Sequence, residues 1–129
     1  MIVVDSSVWI DNLRGIDNAA VRKLRALDDD EEVLIGDLIL LEVLQGARDE
    51  PHAARIERNL RRFPLAPMLD ADLAVRAAGN YRALRERGIT VRKTIDMIIG
   101  TFCVERGHVL LHNNRDFAPM VTHLGLQVA

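Results

Sequence analysis

The sequence contains a single cysteine, Cys103, so it cannot form an internal disulfide framework. Because Cys103 lies in an apolar stretch, we expect a small core residue there and not a nucleophile. No uncharged apolar run is long enough to span a membrane, and the N-terminus lacks the basic region of a signal peptide. These absences predict a protein of the reducing cytoplasm with no membrane segment.

The sequence also lacks an overall excess of positive charge, since its formal net charge is −2. The distribution is uneven, because residues 51–93 carry 10 basic and 4 acidic groups. The basic side chains of this segment could form a rim that contacts phosphates. Nine of the ten are candidates for this rim: Arg55, Arg58, Arg61, Arg62, Arg82, Arg85, Arg87, Arg92 and Lys93. A solvated helix face explains the same pattern equally well.

The length and composition predict one folded unit. The 129 residues are 49% hydrophobic and show no repeat or linker, so we expect a single domain over residues 1–129. Hydrophobic periodicity predicts helices near 7–14, 18–28, 38–48, 51–62, 70–87 and 95–106. It predicts strands near 2–5, 33–36, 63–66, 108–112 and 126–128, with the acidic run 28–32 as a solvated turn. This alternation is typical of a three-layer α/β/α fold with a central parallel sheet of four to five strands.

Two acidic residues directly follow predicted strands. Asp5 closes the apolar run 1–4, and the next two serines offer hydroxyls to cap a helix that begins near Val8. Asp116 comes just after the strand 108–112. Ligands of open α/β sheets bind outside the carboxyl ends of strands, so both acids are candidate ligands. Each acid could instead cap a helix. Asp5 could be a solvated cap, and Asp116 could be the N-cap of the segment 117–122.

Two further acids interrupt apolar helices. Glu42 lies in the segment 38–44, which would otherwise be apolar all round, so its carboxylate must be neutral, paired or bound to a metal. A distant arginine could be that partner. Asp96 lies in the first turn of a helix that we expect Thr94 to cap, where the helix dipole alone could explain it. However, Gly100 shares its face, and a small residue there suits close approach to a sheet or a ligand.

The four acids together predict a site for a divalent metal ion at one crevice. Four segments of the chain then resemble the PIN-domain family, and more narrowly the VapC ribonuclease toxins of bacterial toxin–antitoxin pairs. The resemblance covers nearly the whole chain in order and spacing. Its segments are Ile-Val-Val-Asp-Ser-Ser-Val-Trp-Ile at 2–10, Leu-Glu-Val-Leu-Gln-Gly at 41–46, the helix with Asp96, and Leu-Leu-His-Asn-Asn-Arg-Asp-Phe at 110–117. The opening and the Arg-Asp-Phe ending are fairly specific in combination.

The resemblance implies a PIN-like nuclease domain that cleaves RNA with Mg²⁺ or Mn²⁺ at Asp5, Glu42, Asp96 and Asp116. We expect Asp5 and Asp96 to bind the ion directly, since carboxylate oxygens suit such ions. Glu42 and Asp116 would complete the site, directly or through water. Ser7 is expected to support these carboxylates with its hydroxyl. The resemblance further implies an RNA substrate, a VapB-like antitoxin that blocks the crevice, and a homodimer.

One position departs from the family pattern. Many relatives have an acid where this chain has Asn114, so the site has one fewer candidate ligand. Asn114 can coordinate through its carbonyl oxygen but cannot act as a base, and a second ion would bind weakly. A catalytically silent binding module on the same fold therefore stays an alternative. A phospho-acceptor receiver domain is a poorer one, because Asp5 is followed by serines and no lysine occurs after Lys93.

Overall fold

The computed structural model describes residues 1–28 and 32–129, so most of the acidic run predicted as a turn, residues 29–31, lies outside the described residues. Its strands are β1 (Ile2–Val4), β2 (Val33–Gly36), β3 (Leu65–Ala66), β4 (Val109–Leu111) and β5 (Gln127–Val128). Its helices are α1 (Ser6–Leu13), α2 (Ala19–Arg25), α3 (Asp37–Gln45), α4 (Glu50–Leu60), α5 (Ala71–Glu86), α6 (Thr94–Arg106) and α7 (Ala118–Leu124). A 3₁₀ turn over Arg115–Phe117 precedes α7.

The strands form one sheet in the order β3-β2-β1-β4-β5, and every neighbouring pair is parallel. The predicted parallel α/β sheet is therefore confirmed. Receiver domains have the order 2-1-3-4-5, so the receiver alternative is wrong. The chain adds strands on one side of β1 and then returns to add β4 on the other side. This reversal places a crevice outside the carboxyl ends of β1 and β4, where ligands bind in such sheets.

The sheet lies between two groups of helices. In one group α1 packs on α2 and α3, and α3 packs on α4; in the other α5 packs on α6 and α7. The centre of the core comes from the inner strands, where Val3, Val4 and Leu110 are fully buried. Cys103 is also fully buried, and burial raises the pKa of its thiol to about 12. The prediction that Cys103 is a core residue is confirmed.

Three local predictions are wrong. Helix α3, whose apolar run predicts a largely buried helix, buries Ile39 and Val43 but leaves Leu41 49% exposed. Thr94 does not cap α6: the helix begins at Thr94 itself, and Lys93 occupies the cap position without a side-chain bond. Gly100 does not face a sheet or ligand, because a Cβ atom there would overlap the sulfur of Met120 in α7. The absence of a side chain at Gly100 instead lets Met120 of α7 pack closely against α6.

No helix within residues 1–28 and 32–129 is both long enough and apolar enough to cross a membrane.

Candidate metal centre

Asp5 connects the end of β1 to the start of α1. Its backbone N–H donates to the carbonyl of Leu111 in β4 at 2.9 Å, and its Oδ2 accepts bonds from the Ser7 N–H at 3.1 Å and the Ser7 hydroxyl at 2.6 Å. Asp5 is therefore the N-cap of α1, a role that we expected of the serines. It is not a solvated cap, since it is only 2% exposed. Its Oδ1 is buried and accepts no hydrogen bond from the described residues.

Glu42 lies half-buried on α3 and faces the same crevice. Its Oε1 accepts a hydrogen bond from the Ser6 hydroxyl at 2.9 Å. Burial raises the pKa of the Glu42 carboxyl, and the negative charge of Asp5 raises it further. The hydrogen bond from Ser6 and the positive charge of Lys93 lower it in part. No arginine or lysine in the described part of the chain forms an ion pair with Glu42. The pairing with a distant arginine is therefore not observed.

Asp96 lies in the first turn of α6 and is only 3% exposed. Its Oδ2 accepts a hydrogen bond from the Asn114 amide at 3.1 Å. Burial raises the pKa of the Asp96 carboxyl to about 6, and the negative charges of Asp5 and Glu42 add to that shift. The bond from Asn114 and the charge of Lys93 act in the opposite direction. A carboxylate that served only the helix dipole would lie in solvent, so this buried position favours a further role.

Asp116 occupies the 3₁₀ turn after β4 and is held differently from the other acids. Asn114 caps this turn, because its Oδ1 accepts the Asp116 N–H at 3.0 Å. Phe117 occupies the cap position of α7 and no side chain bonds there, so the N-cap alternative for Asp116 is wrong. The Asp116 side chain is 21% exposed and pairs with Arg92, whose Nη2 lies 3.4 Å from Oδ1. Asn114 thus bonds to the side chain of Asp96 and to the backbone of Asp116 at once.

His112 fixes the loop that carries Asn114, a role that the sequence pattern did not reveal. Its Nδ1 accepts the Asn114 N–H at 3.1 Å, and its ring lies 5.0 Å from that of Phe117. Burial lowers the pKa of His112, which favours the neutral ring that can accept this bond. We did not predict a role for Ser6, although the pair of serines after the first strand was a signal for one. Ser6 bonds to Glu42, and Ser7 bonds to Asp5.

The structure therefore brings three predicted acids together and holds the fourth at their edge. In addition to burial, the charge of Asp5 raises the pKa of Glu42 and of Asp96, so these three acids lie close together. Asp116 is connected to Asp96 through Asn114, which bonds to both residues. Within residues 1–28 and 32–129, no three acidic, histidine or cysteine side chains already converge as a metal-binding group. The chemistry nevertheless fits a divalent cation. A buried carboxylate oxygen without a donor, beside two carboxyls with raised pKa values, is an oxygen site that a hard cation would satisfy.

The chain is similar to known proteins in both sequence and fold. The profile of the PIN domain matches residues 2–120. The chain is 32% identical to VapC ribonuclease Mb1587 of Mycobacterium bovis and equally to ribonuclease VapC11 of Mycobacterium tuberculosis, with coverage of 100% of this chain and 98% of each relative. The fold is similar to that in the structure of VapBC-1 from nontypeable Haemophilus influenzae, with a TM-score of 0.75 and 16% identity over 100% of this chain and 97% of that one.

Proposed function

This chain belongs to the PIN-domain family, and on that premise we propose that it is the toxin of a type II toxin–antitoxin pair, an endoribonuclease that depends on Mg²⁺ or Mn²⁺. Residues 1–129 would act as one nuclease domain. The observation that carries the proposal is the buried Oδ1 of Asp5, which lacks a donor beside two crowded carboxyls. The relatives that align with the whole of this chain are named ribonucleases, which supports RNA as the substrate.

We assign the ion to the crevice outside β1 and β4. Asp5 and Asp96 would hold it directly, and Glu42 and Asp116 would complete the site through water or a second, weaker ion. When bound, the ion would supply Lewis acidity toward a phosphate and a water of lowered pKa. Ser7 keeps one oxygen of Asp5 occupied, which leaves Oδ1 for the ion.

The chain's own residues support direct attack by water. Glu42 or Asp116 would orient that water, because both carboxylates are less buried than Asp5 and Asp96. Asn114 cannot take a proton, so its part is to hold the Asp96 carboxylate in place. A covalent route through Cys103 does not fit, since its thiol is buried and has a raised pKa.

The partner that we propose is a small VapB-like antitoxin. The structure from Haemophilus influenzae is named VapBC-1, which supports such a partner. A groove of about 450 Å³ between α1, α3 and α4, lined in part by Ile10, Leu13 and Val43, offers apolar surface to a partner helix. An arginine of the partner could reach the acidic crevice and take the electrostatic place of the ion. We also expect a homodimer, on the family resemblance.

The test is cleavage of RNA by the purified chain with Mg²⁺, Mn²⁺ or EDTA, with an Asp5→Asn variant as the inactive control. The 5′ ends of the products would then be sequenced to find the target. Cleavage that needs the ion and Asp5 supports the proposal. RNA that binds without being cut under all metal conditions would favour the catalytically silent module instead. For the partner, replacing its inserted arginine by alanine should weaken inhibition, and excess Mg²⁺ should compete with the antitoxin.

A further inference from the structure

Arg92 is a basic side chain at the rim of the crevice, and it contacts one of the site acids, Asp116. Its Nη2 lies 3.4 Å from Oδ1 and 3.5 Å from Oδ2 of Asp116. The contact joins the segment that enters α6 to the turn that follows β4. Arg92 belongs to the basic stretch 51–93, for which the sequence left a phosphate rim and a solvated face equally open. Within the described residues, Arg92 is the member of that stretch that forms an ion pair with one of the four candidate acids.

The pair between Arg92 and Asp116 is weak. Its distances are long for a charge-assisted hydrogen bond, which is typically about 2.7–2.9 Å. The Arg92 side chain is 81% exposed, so water can replace the contact at little cost. By contrast, Arg61 and Glu57 form a pair at 2.7 Å on the surface of α4. A weak, exposed pair beside a proposed active site is one that a stronger anion can displace.

A second cation lies beside Arg92. Lys93 is exposed at the start of α6, and its charge lowers the pKa of both Glu42 and Asp96. Its field therefore reaches the acids inside the crevice. The two adjacent residues place positive charge at the entrance of a site whose interior is negative. An RNA phosphate needs such charge, because the carboxylates would otherwise repel it.

The chemistry of the two groups decides which one contacts the phosphate. The guanidinium of arginine presents parallel N–H donors that match two oxygens of a phosphate, whereas lysine is a point charge. In the free protein Asp116 accepts from only one guanidinium nitrogen of Arg92, Nη2, through both of its oxygens. We propose that Arg92 is a substrate-binding residue that exchanges Asp116 for the scissile phosphate of RNA and thereby releases Asp116 toward the metal centre. This inference rests on the proposed function and assigns one of its substrate contacts.

Binding of RNA without metal tests the inference. A fluorescein-labelled single-stranded RNA of mixed sequence would be titrated with the intact protein in EDTA at several salt concentrations, followed by fluorescence anisotropy. We expect Arg92→Ala to weaken binding about tenfold and to reduce the slope of log affinity against log salt by about one, as for one lost phosphate contact. Arg92→Lys should keep most of the slope and lose part of the affinity. The control Arg22→Ala should change neither quantity, although it breaks a shorter ion pair, 3.0 Å long, to Asp17.

Asp116→Asn tests the exchange itself. Removing the competing carboxylate should tighten RNA binding more when Arg92 is present than in an Arg92→Ala background. Equal gains in both backgrounds would overturn the exchange. An Arg92→Ala protein with the wild-type affinity and salt slope would overturn the phosphate contact, as would a lowered melting temperature with an unchanged slope, since that result indicates a structural pair.

Cleavage assays separate this inference from the proposed function. If the wild-type protein cuts RNA with Mg²⁺ and Arg92→Ala cuts it with the same KM, the inference fails and the function stands. If the wild-type protein cuts no RNA with any divalent ion, the function fails whatever Arg92 binds. The expected result is ion-dependent cleavage by the wild type and a raised KM for Arg92→Ala.

Discussion

Two aspartates of this protein show opposite solutions to the same chemical problem. Asp17 lies on the surface before α2 and pairs with Arg22 at 3.0 Å, and the hydrogen bond and charge of Arg22 lower the pKa of its carboxyl. Asp96 is buried in the crevice with two other acids, and its pKa is raised to about 6. The protein thus pairs a cation with the exposed Asp17, whose carboxylate is already stabilised by water. Within residues 1–28 and 32–129, the buried Asp5 and Asp96 form no ion pair with a basic side chain.

The difference indicates that the crevice is not optimised for the stability of the metal-free chain. An exposed ion pair adds little to stability, whereas buried like charges cost free energy until one is protonated or a cation binds. Such a cost is expected where function requires the arrangement. If the crevice acids differ from the surface acid in this way, substitutions at the two places should have very unequal effects.

The largest effect is expected on catalysis. Asp5→Asn or Asp96→Asn should reduce the rate of RNA cleavage by on the order of 100-fold or more. Enzymes typically lose about that factor when one group that stabilises transition-state charge is removed. The variants should remain folded, because the amide is nearly isosteric with the carboxyl. The assay is RNA cleavage with Mg²⁺, alongside circular dichroism of each variant. Wild-type rates in either variant would refute the ligand assignment, and unfolding of both would favour a structural ion pair.

The next effect concerns stability without metal. The folded-state pKa of Asp96 lies above the ordinary value, so its contribution to stability is present at low pH and is lost as pH rises through about 6. Asp96→Asn removes this loss and should stabilise the metal-free protein at neutral pH by up to about 3 kcal/mol, an upper bound from the pKa shift. Urea unfolding in EDTA should show the two proteins diverging as pH rises from about 4 to about 7. Equal curves across that range would contradict the raised pKa.

A smaller effect is expected from the ion. Mg²⁺ should raise the melting temperature at about pH 7 and much less near about pH 4, where protonation of the carboxylates competes with binding. Differential scanning calorimetry at both pH values, with and without Mg²⁺, measures the shift. The same shift in Asp5→Ala would place the ion outside the crevice.

The smallest effect belongs to the surface pair. Asp17→Asn and Arg22→Ala should leave cleavage and metal binding unchanged, because Asp17 and Arg22 are exposed and their pair is screened by solvent. Their melting temperatures should move only slightly. A loss of activity comparable with that of Asp96→Asn would mean that the surface and crevice acids do not differ as proposed.

The sequence predicted the acids whose environment is set locally. Asp5 follows a strand and Asp96 interrupts an apolar helix, and both signals lie within a few residues along the chain. The parallel sheet followed likewise from alternating periodicity. The partners of these acids could not be predicted in this way, because Asn114 bonds to Asp96 and Arg92 pairs with Asp116 across 18 and 24 residues of chain. The exposure of Leu41 was missed for the same reason, since tertiary packing decides which face of an apolar helix is covered.

The central claim is that the crevice binds a divalent ion through Asp5, and calorimetric titration of Mn²⁺ into the metal-free protein tests it most directly. We expect saturable binding to the wild-type chain at about pH 6, with release of protons from the Asp96 carboxyl, whose pKa is raised to about 6, and no such binding to Asp5→Asn. Equal affinity and stoichiometry in the two proteins would contradict the claim.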